Sequence, residues 1–129
     1  MTIGLPEAFN GLLTEAECAL IDQTLLPTRD RFSIRITVYS WRYLLQVAQE
    51  LGVKVTELTP VQIQDRLSLD PQLRLQANFD ESFVDWFGNL LTSSLGAIRN
   101  IAIQLNLEIE QLTLPQIVDW FEQRVKASL

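Results

Sequence analysis

The 129-residue sequence predicts an all-α, single-domain helical bundle made of two related long-helix/short-helix units and an N-terminal helix. Three observations predict it. A helix-start signature occurs three times, a 21-residue window recurs at an offset of 54 positions, and the two longest apolar segments accept helical spacing.

The signature is "LTEAEC" from Leu13, "LTPVQI" from Leu58 and "LTLPQI" from Leu112. In each, Thr is followed three positions later by Glu or Gln. The hydroxyl can accept from the third helical N–H while that residue's side chain reaches back, and the flanking apolar pair forms a staple. Pro60 and Pro115 agree, because proline in a first turn forfeits no helical hydrogen bond. The recurring window aligns "VAQELGVKVTELTPVQIQDRL" (47–67) with "IAIQLNLEIEQLTLPQIVDWF" (101–121) and has seven identities, among them Leu58/Leu112, Thr59/Thr113, Gln62/Gln116 and Asp65/Asp119. Gly52 pairs with Asn106, and both tolerate the left-handed backbone just past a helix end. The repeat units are therefore set at about 28–67 and 81–121.

Taken in order, the first helix falls near 15–25. The next, near 29–51 with Thr28 as N-cap, contains "FSIRITVYS", which alternates like a strand. Two stripes decide for helix: Phe32, Ile36, Tyr39, Tyr43, Val47 and Leu51, with Ile34, Val38, Trp41, Leu45 and Ala48 beside them. A short helix follows near 60–67 and a single turn after Asp70–Pro71. A long helix near 81–105 has Asp80 as N-cap, and the last helix lies near 114–127. The competing architecture is α+β, with short strands near 32–38, 53–58, 73–79 and 105–110.

Sixteen acids against ten bases give a net charge of −6, which opposes binding to nucleic acid or anionic membrane. Cys18 is the single cysteine and histidine is absent, which removes intramolecular disulfides, Cys/His zinc sites and histidine-based catalysis. The stretch "MTIGLPEAFNGLL" lacks the basic start and apolar run of a signal peptide, so a cytoplasmic setting is expected. The window "WFGNLLTSSLGAIRNIAIQL" holds too many polar groups for a membrane span and reads as a core helix.

Several features bear on function. "VAQELGVKVTEL" resembles the helix-turn-helix families of DNA-binding proteins through Ala48, Gly52 and Leu58. Pro60, the lone Lys54 and the acidic balance speak against that use. Arg29, Arg31, Arg35 and Arg42 cluster within 14 positions. On a helix Arg31, Arg35 and Arg42 share one face over about 16 Å, either docking an acidic partner segment or pairing with the chain's own carboxylates. Gly88, Thr92 and Gly96 recur at four-residue steps and admit a close helix contact, internal or across a dimer seam. Asp80, Glu81 and Asp85 fit N-terminal capping. Trp41, Trp86 and Trp120 fit the core, as does Cys18.

The segments "TRDRFSIRITVYSWRYL" and "LPQIVDWFEQ" resemble small, uncharacterised helical proteins of cyanobacteria. That resemblance implies no activity and transfers no site.

Nothing in the sequence assembles a nucleophile, a base and an oxyanion site. The expected protein is non-catalytic, without cofactor or metal. It is an interaction module or accessory subunit that docks on a partner with an acidic segment, as a monomer or a homodimer. A helix-turn-helix regulator and a small-ligand carrier, with a pocket between the long helices and the arginines at its mouth, are the alternatives.

Overall fold

A computed structural model describes residues 13–74 and 81–127. Among these described residues six helices follow one another: α1 (Glu15–Asp22), α2 (Thr28–Leu51), α3 (Pro60–Leu69), α4 (Pro71–Arg74), α5 (Glu81–Leu105) and α6 (Leu114–Ala127). Among the described residues there is no strand. Residues 32–38 are helical, 53–58 and 105–110 are links carrying 3₁₀ turns at Val55–Glu57 and Ile109–Gln111, and most of 73–79 lies outside the described residues. The two-residue alternation in "FSIRITVYS" loses to burial, because Ile34, Thr37, Val38, Tyr39 and Ser40 are all interior on α2. A helix face that wide outweighs the small helix penalty of β-branched residues.

The three Thr signatures start helices as expected. Glu17 N–H donates to Thr14 Oγ1 (3.1 Å), and Thr14 N–H donates back to Glu17 Oε1 (3.0 Å). Thr59 and Gln62 reciprocate at 3.2 and 2.9 Å, as do Thr113 and Gln116 at 3.4 and 2.9 Å. Each box satisfies two orphan donors. Thr28 differs from expectation: it opens α2 after Pro27, and its hydroxyl accepts from Arg31 (3.2 Å). Asp80 lies outside the described residues.

Both long helices stop by the same device. Gly52 has φ +69° and Asn106 has φ +56°, and the next N–H turns back to a carbonyl five residues earlier, Val53 to Ala48 (3.0 Å) and Leu107 to Ala102 (2.9 Å). Each stop leads through a 3₁₀ turn to a capped helix, so α2, turn and α3 recur as α5, turn and α6 at a constant offset of 54 positions.

The two units embrace. The long helices α2 and α5 pack on each other, α3 crosses to α5, α6 crosses to α2, and the two 3₁₀ turns meet. Lys54 and Glu108, equivalent positions, approach to 3.9 Å, which puts a pseudo-two-fold axis near that contact. Trp41 Nε1 donates to the Ile109 carbonyl (3.2 Å), Val55 N–H to Glu110 Oε2 (2.9 Å) and Arg99 to the Thr56 carbonyl (3.2 Å), all between units. One apolar core results, built on Val38, Leu44, Val47, Phe87, Leu91, Ile98 and Ile101, with α1 closing one flank against α2 and α6.

Candidate docking surfaces

The arginine stripe lies under α1. Arg35 grips both carboxylate oxygens of Asp22 (2.6 and 2.7 Å), Arg31 reaches the Asp22 carbonyl (3.4 Å), and Arg42 meets Glu17 Oε2 (2.6 Å) while lying 5.0 Å over the Trp41 ring. Because Arg35 pairs late in α1 and Arg42 early, the two helices run antiparallel. Arg35 Nη2, shared between the two Asp22 oxygens, and Arg42 Nη2 on Glu17 fix their register at two points. Arg29 is exposed at the start of α2. Of the sequence's two readings of the stripe, pairing with the chain's own carboxylates is the arrangement seen.

These contacts leave an electrostatic signature. The Thr14 N–H, with Arg42 beyond it, holds the Glu17 carboxyl below its ordinary value. A carboxyl depressed by folding contributes stability that is complete above its unfolded pKa and is lost as pH falls through the folded one. Glu17→Gln is therefore expected to flatten the acid limb of a pH-versus-midpoint curve while leaving α-helical circular dichroism intact. An acid limb identical to wild type would exclude Glu17 as a contributor.

Within the chain, Gly88, Thr92 and Gly96 have three different surroundings. A Cβ at Gly88 would run into the Gln64 side-chain amide, so α3 makes the close approach there. Thr92 Oγ1 donates to the Gly88 carbonyl within α5 (2.8 Å). Gly96 is open, with nothing near a Cβ. Four-residue steps advance about 40° each, so the row winds from the interior to solvent. Trp86 also departs from expectation: it is 45% exposed, whereas Trp41 is buried and Trp120 partly buried. Cys18 is partly buried against the core.

A buried polar knot lies at the other end of α2. Tyr43 donates to Asp70 Oδ2 (2.9 Å), Arg66 meets the same oxygen (3.1 Å), and Arg66 Nε reaches Glu50 (2.6 Å). Burial pushes the Tyr43 hydroxyl far up, so it stays a donor. The matching positions of the second unit, Trp120 and Gln104, are also joined, Nε1 to Oε1 at 2.7 Å. Sequence reasoning missed this knot; the signal was Arg66 and Asp70 spaced one helical turn apart beside a proline.

The link from Val53 to Thr59 buries Val55 and Leu58, and α3 begins only at Pro60, so no recognition helix follows Gly52 directly. An open groove of about 230 Å³ sits between Thr56, Arg99 and Leu107, with Ala102 and Ile103 on its floor. One of its walls is Ile109, whose carbonyl accepts from Trp41, the ring that Arg42 lies over. Among the described residues no helix is long and apolar enough to cross a membrane.

The fold is that of a small all-α bundle, with ion pairs tying α1 to α2, α2 to α3 and the two links to each other. Residues 13–128 match the family described as "NDH complex assembly factor CRR9", and the chain belongs to that family. It is accordingly a non-catalytic accessory protein of complex assembly. No curated protein matches the chain. No solved structure matches it either.

Two expectations are corrected by the family assignment. The resemblance to uncharacterised cyanobacterial proteins carried no activity, whereas the match over nearly the whole chain carries a specific assembly role. The cytoplasmic expectation fails as well, since CRR9 is an assembly factor of the chloroplast thylakoid NDH complex and not a free cytoplasmic protein.

Proposed function

We propose that the chain holds a protein subunit of the NDH complex during assembly, and that the bound element is an acidic helical segment. The match of residues 13–128 to the assembly-factor family carries the first part. The second rests on α1, itself acidic in its first turn and seated on Arg31, Arg35 and Arg42. That seat accepts a helix with carboxylates one to two turns apart, and an arriving segment of the same chemistry takes it by exchange with α1. Nucleic acid is left out of this reading because the net charge is −6 and Lys54 faces Glu108.

The test compares cells that lack the chain with cells carrying wild type or the Glu17→Gln/Asp22→Asn variant. Native gels are expected to show loss of assembled NDH complex without the chain. Assembly intermediates should bind the variant more tightly, because α1 holds the seat less firmly. Normal NDH levels without the chain would sink the assembly role. Unchanged binding by the variant would remove the arginine seat alone.

A further inference from the structure

We infer that two copies of this chain pair antiparallel along α5, through the stripe Trp86, Asn89, Ser93, Gly96, Asn100 and Ile103. The six positions follow at steps of three and four residues, the seam spacing of packed helices. All six are exposed, Trp86 at 45% and Ile103 at 75%.

A contact between identical faces must match itself when reversed. With the two-fold axis at the Ser94–Leu95 peptide, Trp86 meets the second copy's Ile103, Asn89 its Asn100 and Ser93 its Gly96. Large apolar groups then close both ends, amides that can donate and accept face each other, and the smallest residues occupy the crossing point. Trp86 is presented for such a contact, braced by Phe83 and Phe87 with ring centroids 6.1 and 5.7 Å away. A fixed aromatic loses little entropy on binding. The stripe carries no charge, so chains of net charge −6 meet along a neutral line.

The fold supplies an internal precedent. At the 54-position offset the stripe corresponds to Phe32, Arg35, Tyr39, Arg42, Gln46 and Gln49, and along that face α1 lies antiparallel to α2 through Arg35–Asp22 and Arg42–Glu17. The same face of α5 is covered by no described helix. One long helix thus carries its antiparallel partner within the chain, and the other receives it from a second copy.

Sedimentation equilibrium on the full chain tests this, with Ser93→Glu and Asn100→Glu as variants. Wild type is expected to show a monomer–dimer equilibrium with a blue shift of Trp emission on association. Each variant should raise the dissociation constant about 100-fold, because Ser93→Glu sets like charges against each other at the crossing point and Asn100→Glu buries a carboxylate against the second copy's Asn89. Their circular dichroism should match wild type because both positions are exposed in the monomer. A wild-type chain that stays monomeric at about 1 mM, or a dimer that neither variant weakens, overturns the proposal.

Discussion

Phe87→Ala is expected to destabilise the protein by about 3–5 kcal/mol, and Trp86→Ala, one position earlier on the same helix, by less than about 1 kcal/mol. Phe87 is completely enclosed on the face that α5 turns toward α2 and α3, whereas Trp86 is 45% exposed. Removing the buried ring forfeits its transfer free energy and opens a cavity that flanking Val84 and Leu91, themselves buried, cannot fill without leaving their own contacts. Removing the outer ring opens no cavity. Urea titrations of both variants, at a dilution where the chain is monomeric, give the comparison. Equal losses would mean that α5 is rotated about its axis from the orientation described.

The second large effect belongs to Arg66. Arg66→Met is expected to cost about 2–4 kcal/mol, because the buried Asp70 carboxylate loses its cation and is left to its remaining hydrogen bonds. The Glu50 contact adds little, since that carboxylate is half exposed. The methionine stem retains much of the guanidinium's packing over Tyr43, where the centroid distance is 5.9 Å. Adding Asp70→Asn to Arg66→Met should return part of the loss, since no charge is then stranded. Chemical denaturation of the four proteins of the cycle measures it. A single-variant loss below about 0.5 kcal/mol would show that Asp70 does not depend on Arg66.

Local chemistry made the helices legible in the sequence. Thr14, Thr59 and Thr113 are caps because of what lies three residues after each, and Gly52 and Asn106 are stops because of the backbone they permit. Burial on α2 was legible in most of both apolar stripes, with Leu51 at the helix end exposed instead and Phe32, Ile36 and Leu45 half-buried. What escaped was partner choice across space. Arg35 and Arg42 share a face in any helix, but nothing in their spacing says that Asp22 and Glu17 will lie above them. Gly88 and Gly96 look equivalent in the sequence, yet a 40° drift per step sends one under α3 and the other to solvent. Trp86 reads as core by residue type and sits outside by phase. The assembly role was reached by exclusion, and its particular complex came from the family match alone.

The crossing of the short helices has a consequence for biosynthesis. Since α3 rests on α5, and α6 on α2, no unit encloses its own apolar face. A nascent chain that has delivered α2 and α3 to the outside of the ribosome still shows Val38, Leu44 and Val47 to solvent, and it closes them only when the last helix follows. The fold is thus completed only once α6 has emerged, in one step involving both halves. A ribosome-stalled fragment ending near residue 75 should be as protease-sensitive as an unfolded chain.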